Sequence, residues 1–216
     1  MYKKTLIPMT IVLCLTIAQG VLAETRDQGW YAKALADIGA LADSDLDSTT
    51  LGTGDSAFDL GFGGGAALGY DFGQWRFESE LVYRTNGLDQ VSGTSFDGAS
   101  DGDLSSLGFA ANALLDFNLF GSPKVESYVG LGLVWFEEID IDFEQSGVES
   151  SFSSDGNAWQ AIAGVDYTLR DNWSMFGEVR YLFSDDLDLS GEDGVTDEFT
   201  TDYDRTSVTL GIKYRF

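Results

Sequence analysis

Apolar and polar residues alternate one by one along eight segments of this chain. In the last segment Val208, Leu210, Ile212, Tyr214 and Phe216 are apolar, and the residues between them are small, polar or charged. Successive side chains of a β-strand point to opposite faces, so this period of two predicts a strand with one apolar and one polar face. The other seven segments are residues 30–41, 58–70, 75–84, 107–119, 125–135, 159–169 and 173–183. We therefore predict an all-β fold.

Short and long connections alternate between these segments. The connections after the second, fourth and sixth segments are short turns, whereas the others are long and rich in Asp, Ser and Gly. A soluble β-sandwich has no reason to place every long loop at one end. Outer-membrane barrels combine short periplasmic turns, long external loops and an even number of strands. The spacing predicts an eight-stranded antiparallel transmembrane up-and-down β-barrel with four long acidic external loops.

All five tryptophans fall at predicted strand ends. Trp30, Trp75 and Trp173 lie next to the short turns or the first strand's start, and Trp135 and Trp159 lie near the long loops. Amphipathic aromatic rings favour the headgroup level of a bilayer, so this placement predicts two aromatic girdles.

The first 23 residues have the features of a secretory signal. Lys3 and Lys4 precede a mostly apolar stretch, and small residues end it at Ala23. We predict that residues 1–23 are cleaved and that residues 24–216 form one barrel domain. The only cysteine, Cys14, lies in the predicted signal. We therefore expect neither a disulfide nor a thiolate metal site in the mature chain, and no cofactor.

The composition is strongly acidic. There are 36 Asp and Glu against 12 Lys and Arg, a formal net charge of −24, and removal of the signal would bring the charge to about −26. Nucleic acid is excluded as a partner, because its phosphates require a basic surface. The four predicted loops hold four, four, seven and nine carboxylates, and Lys and Arg occur only near strand ends. We expect diffuse divalent cations to link these loops to lipopolysaccharide.

One loop segment partly matches a calcium-binding loop. The residues at its ligand positions are Asp186, Asp188, Ser190 and Asp197. Their carboxylate and hydroxyl oxygens are groups that Ca²⁺ prefers as ligands. Asp193 stands where such loops carry an apolar residue, and no helices flank the segment. Solvated acidic loops remain the favoured interpretation, and a calcium-dependent adhesin is a weaker alternative.

The polar strand faces predict a charged barrel interior. An eight-stranded barrel is just wide enough for side chains to fill it, and buried charges must pair. A closed, ion-paired interior is therefore favoured over a gated ion path. Glycines on the second strand would leave room for bulky side chains such as Tyr128 or Phe176. The predicted lumen network comprises Lys33, Asp37, Arg76, Glu78, Glu80, Arg84, Glu178, Arg180, Lys213 and Arg215.

Several motifs resemble those of the opacity-type, OmpA-like eight-stranded outer-membrane proteins. They are Trp30-Tyr-Ala-Lys, Tyr128-Val-Gly-Leu-Gly132, the 164–172 hairpin with Glu178-Val-Arg-Tyr181, and the terminal 210–216 segment. The resemblance implies residence in the outer membrane of a Gram-negative cell, in contact with outer-membrane lipid. It also implies that Ile212, Tyr214 and Phe216 form the signal read by the barrel assembly machinery.

The chain contains no histidine. Enzymes among small outer-membrane barrels use histidine as a base or as its partner, and a serine or water nucleophile normally needs such a base. We expect a monomeric, non-enzymatic protein with an envelope structural or surface-interaction role. The alternative is a narrow channel for small or hydrophobic solutes, resembling the OmpW type.

Overall fold

The computed structural model of the protein describes residues 28–41, 44–48, 52–58, 60–91, 94–95, 102–145, 148–184, 187–191, 198–201 and 204–216. The predicted signal peptide lies outside these residues. All regular structure in the described ranges is β-strand, and no helix there is long and apolar enough to cross a membrane.

Thirteen strands follow one another along the described chain. They are β1 (Gly29–Leu41), β2 (Ser44–Ser48), β3 (Gly52–Phe58), β4 (Gly61–Asp71), β5 (Trp75–Val91), β6 (Thr94–Ser95), β7 (Gly102–Phe117), β8 (Val125–Gln145), β9 (Val148–Arg170), β10 (Trp173–Ser184), β11 (Leu187–Gly191), β12 (Glu198–Thr201) and β13 (Arg205–Arg215).

The eight longest strands close into a barrel. The order is β1, β4, β5, β7, β8, β9, β10 and β13, with every neighbouring pair antiparallel. The C-terminal β13 pairs with β10 and returns to β1, in a register that runs from Tyr31 opposite Arg215 to Leu41 opposite Arg205. The predicted eight-stranded up-and-down barrel is confirmed. Residues 72–74, 118–124 and 171–172 connect strands at what we term the short-turn end.

The apolar face of each barrel strand points outward. Leu210 and Leu131 are 62% and 61% exposed, whereas Arg76 and Thr209 on inward-facing positions are 0% exposed. A soluble protein would show the reverse arrangement, but an apolar outer belt around a polar interior is the pattern of membrane barrels.

Aromatic side chains gather at both edges of this belt. At the short-turn end the rings of Trp30 and Tyr70 are 5.2 Å apart and those of Trp173 and Tyr214 are 4.9 Å apart. Toward the opposite end, Phe109 stacks on Trp135 with 5.9 Å between ring centroids. Aromatic pairs are therefore found at both ends of the apolar belt, as the two predicted girdles require.

Strand pairing extends further than the eight predicted segments. The β8–β9 hairpin pairs as far as Gln145 opposite Val148, and β5 runs to Val91. The chain also pairs β2 with β3 and with β12, β3 with β5, and β11 with β9 and β12. Much of the sequence predicted as long loop is therefore strand. The prediction was wrong there because backbone hydrogen bonds do not need an apolar face, so strands also form where the sequence is rich in Asp, Ser and Gly. In β8 a signal was present, since Ile139, Ile141 and Phe143 alternate with acidic residues.

Candidate functional site

The interior of the barrel holds a nearly balanced set of charged side chains. Among the described residues, seven basic and eight acidic side chains face it, and all but Arg215 are buried. The basic members are Lys33, Arg76, Arg84, Arg180, Arg205, Lys213 and Arg215, and the acidic members are Asp37, Asp71, Glu78, Glu80, Asp116, Glu126, Asp166 and Glu178. Alternation along the strands places them there, because every second residue of a barrel strand faces inward.

At the short-turn end, Arg76 forms ion pairs with two acidic residues. Its Nη2 lies 2.8 Å from Asp116 Oδ1, and its Nη1 donates to Asp166 Oδ2 at 2.9 Å. Lys213 Nζ donates to the same Asp166 oxygen at 2.6 Å. These groups are buried, so each bond forms away from bulk water and is stronger than its surface counterpart.

The middle of the lumen is organised around Lys33 and Glu178. The Lys33 ammonium lies 3.1 Å from Glu78 Oε1 and 2.8 Å from Glu178 Oε1. Two tyrosine hydroxyls also donate hydrogen bonds to these carboxylates: Tyr31 donates to Glu78 at 2.8 Å and Tyr128 donates to Glu178 at 2.7 Å. The Lys33 ammonium also lies 4.1 Å from the centre of the Phe176 ring, a favourable cation–π contact.

Arg180 spans the lumen. It donates from Nη1 and Nη2 to the two oxygens of Glu80, at 2.6 and 2.9 Å, and its Nε donates to Glu178 at 2.7 Å. Arg180 belongs to β10 and Glu80 to β5, which lie diametrically opposite in the closed strand order. The bidentate pair therefore crosses the full width of the barrel.

A third cluster lies toward the end opposite the short turns. Arg205 donates to both oxygens of Asp37, at 3.0 and 3.1 Å, and Arg84 Nε donates to Asp37 Oδ2 at 3.2 Å. Two guanidinium groups thus share one carboxylate. The interior is therefore bridged by ion pairs at three levels.

Inward-facing glycines make room for the large side chains of this interior. A Cβ at Gly69 would overlap the Tyr31 ring, and a Cβ at Gly164 would overlap the Tyr128 ring. Phe176 lies against Gly211. The expectation that glycines create space is correct, but Tyr128 and Phe176 occupy space opposite glycines of β9 and β13 rather than those of β4.

The structure brings together the charges that the sequence analysis assigned to the lumen. Nine of the ten are buried, and Arg215, the tenth, reaches Asp71 at 2.5 Å with 21% of its side chain exposed. The predicted set omitted five further members, namely Asp71, Asp116, Glu126, Asp166 and Arg205. Asp71 fell in a predicted turn and Arg205 directly before a predicted strand. The other three stand on polar strand faces, and that position was the available signal.

Half of the calcium candidate lies outside the described residues. Asp186 and Asp197 are not described, and Asp188 and Ser190 belong to β11, whose backbone pairs with β12 at Thr200 and Glu198. The assembly-signal residues are described: Ile212 and Phe216 face outward, and Tyr214 packs between Trp173 and Phe216. The Phe216 amide donates to the Trp30 carbonyl at 3.0 Å.

The sequence matches the family model described as "Outer membrane protein beta-barrel domain" over residues 9–216. A search of curated proteins finds no match. Several solved structures share the fold.

Three of these structures illustrate the likeness. OprG from Pseudomonas aeruginosa is 17% identical, with a TM-score of 0.68 and coverage of 91% of this chain and 99% of that one. The outer membrane protein AlkL, determined in lipid bilayers, is 18% identical, with a TM-score of 0.53 and coverage of 90% and 93%. Neisserial surface protein A is 19% identical, with a TM-score of 0.52 and coverage of 88% and 100%. At these identities the likeness concerns the fold alone.

Proposed function

Because this chain belongs to the outer membrane protein β-barrel domain family, we propose that it is a non-enzymatic protein of the outer membrane with a closed lumen and an envelope structural or surface-interaction role. Residence in the outer membrane follows from the family and the fold. In such barrels the short turns face the periplasm, so the opposite end faces the cell exterior.

The observation that carries the proposal is the Arg180–Glu80 pair. It joins opposite walls of the barrel through two hydrogen bonds, and the side chains are only 2% and 1% exposed. A solute on the barrel axis would have to break this bidentate pair and leave the buried Glu80 carboxylate without its Arg180 partner, at a cost of several kcal/mol. Closure of the lumen shifts the function to the outer surface of the barrel.

The exterior supports a surface role. Residues 85–106, 136–158 and 184–204 contain no Lys or Arg but many carboxylates. Divalent cations that accumulate near this surface would join it to the phosphates of lipopolysaccharide. The barrel assembly machinery would insert the protein into the outer membrane as a monomer. The absence of histidine from the chain agrees with a non-catalytic role.

A channel for small or hydrophobic solutes is the second candidate. Apolar side chains line the inward face toward the outer end, where Leu41, Val134, Phe136 and Leu182 are buried. An apolar lining would accept a hydrophobic solute more readily than an ion. This candidate requires that the Arg180–Glu80 pair open.

Planar-bilayer recording separates the two candidates. We expect the refolded protein to show no single-channel steps, as in lipid without protein. Reproducible steps that change in size when Arg180→Gln and Glu80→Gln are combined would refute the closed lumen. For the envelope role, a strain without the protein should become more sensitive to chelators and detergents, with rescue by wild type. Unchanged sensitivity would contradict that role.

A further inference from the structure

A polar cavity of about 210 Å³ opens at the periplasmic end of the barrel. It lies between the β7–β8 and β9–β10 turns, and Thr168, Asp171, Asn172, Ser174, Lys213 and Arg215 line it. The lumen charge network ends here and does not account for the space. A cavity of this size has room for several water molecules at about 30 Å³ each, which is enough for a carboxylate or phosphate group.

Two cations stand in the wall of this cavity, and both are held in place. Lys213 donates to Asp166 at 2.6 Å, and Arg215 donates to Asp71 at 2.5 Å. Asn172 fixes the backbone of Arg215, since its side-chain amide donates to the Arg215 carbonyl at 2.7 Å. The two positive groups are therefore preorganised at the cavity, so a ligand would not have to order them.

Two further cations are next in sequence to lining residues, Lys124 after Pro123 and Arg170 before Asp171, and we term them the rim cations. Lys124 and Arg170 are exposed, and within the described part of the chain neither forms a salt bridge. The Thr168 amide donates to the Lys124 carbonyl at 2.8 Å, which keeps this turn beside the cavity wall. Of the Lys and Arg residues that the structure describes, these two are the exposed ones. Within the described ranges, exposed positive charge is thus confined to the periplasmic end.

Charge separation along the barrel axis makes this end the place where an anion can approach. The external segments carry carboxylates without any Lys or Arg, and their potential falls off within about 10 Å at moderate ionic strength. The periplasmic mouth lies on the far side of the bilayer from them, about 30 Å away. An anion at the mouth therefore meets the rim cations without repulsion from the acidic exterior.

We propose that the periplasmic mouth binds a small oxyanion, a carboxylate or phosphate group, between Arg215 and Lys213. The hydroxyls of Thr168 and Ser174 supply neutral donors, and Lys124 and Arg170 raise the local concentration of the anion. Asp171 also lines the cavity and opposes binding. The oxyanion can come from the periplasm or from the headgroup of an inner-leaflet phospholipid.

The test follows the backbone amides of Asn172 and Ser174 by NMR in micelles with uncharged headgroups. Sodium phosphate replaces sodium chloride at constant ionic strength, and we expect saturable shifts at these amides. Lys124→Gln combined with Arg170→Gln should weaken binding about threefold or more. Asp171→Asn should tighten it. Heat-modifiable gel migration verifies that each variant is folded.

The source of the anion is distinguished in nanodiscs. Shifts that appear with phosphatidylglycerol and without added phosphate identify the lipid headgroup, whereas shifts that need dissolved phosphate identify a periplasmic anion. Identical titrations with phosphate and chloride would overturn the proposal. So would a rim double variant that binds phosphate as wild type does.

Discussion

Replacing Lys33 by Met tests how dry the barrel interior is. The Lys33 ammonium lies between Glu78 and Glu178, and the side chains of all three are 0% exposed. Methionine keeps most of the volume and removes the charge. Glu178 retains Arg180, but Glu78 is left with the Tyr31 phenol as its remaining described partner. Breaking a buried ion pair from one side costs about 3–5 kcal/mol, because the remaining charge is desolvated and uncompensated.

The double variant Lys33→Met/Glu78→Gln provides the internal check. It removes both charges and keeps an acceptor for Tyr31, so we expect it to return to within about 2 kcal/mol of wild type. Lys124→Met is the matched control. Its side chain is exposed at a turn, so its effect should remain within about 0.5 kcal/mol.

Urea unfolding in phospholipid vesicles, followed by tryptophan fluorescence, measures these differences. Heat-modifiable gel migration confirms that each variant forms the barrel. If Lys33→Met costs less than about 1 kcal/mol, as exposed ion pairs do, the lumen is hydrated and screened. That result would refute the closed interior on which the proposed function depends.

Three further substitutions, two of them with a matched control, test the wall of the barrel. Gly211→Val should abolish folding, because a Cβ there would overlap the Ala34 carbonyl and the Phe176 ring. Gly64→Ala is the control and should fold, since its Cβ would meet the nearest atom at 3.6 Å. Equal yields of heat-modifiable protein from the two variants would contradict this. Leu210→Arg places a charge on the apolar belt and should cost about 2–4 kcal/mol in urea titrations, against about 0–1 kcal/mol for Thr206→Arg near the outer edge. Equal costs for these two variants would contradict the position of the membrane inferred from the apolar belt. Phe216→Ser should lower the amount of assembled barrel in cells but leave refolding in vitro unchanged, since the backbone bond of Phe216 is kept. Unchanged cellular assembly would exclude Phe216 from the assembly signal.

The sequence alone predicted most of the wall. The period of two predicted eight strands. It also assigned the two faces of the strands correctly, for example Lys33 to the interior and Leu210 to the outer surface. Short and long connections gave the up-and-down order. These features are local, because strand geometry and the contrast between lipid and lumen act on each residue independently of distant partners.

The tertiary structure decided which charges meet. Arg180 and Glu80 are 100 positions apart in sequence and come from opposite strands, so no local spacing connects them. Asp166 and Arg205 joined the interior for the same reason: their place depends on the register of the closed barrel. A carboxylate on a polar strand face looks the same in sequence whether it faces water or a guanidinium group.

The extent of the strands was also a tertiary outcome. Beyond the outer girdle β8 and β9 continue to pair as far as Gln145 and Val148. In β8 the alternation continues there, since Ile139, Ile141 and Phe143 stand between acidic residues, but its partner stretch, residues 148–157, is mostly Ser, Gly and acidic residues with no clear period of two. Side-chain polarity therefore marked where the barrel crosses the membrane. Backbone hydrogen bonding between neighbouring strands, which the polar sequence of β9 does not signal, determined how far the wall extends above it.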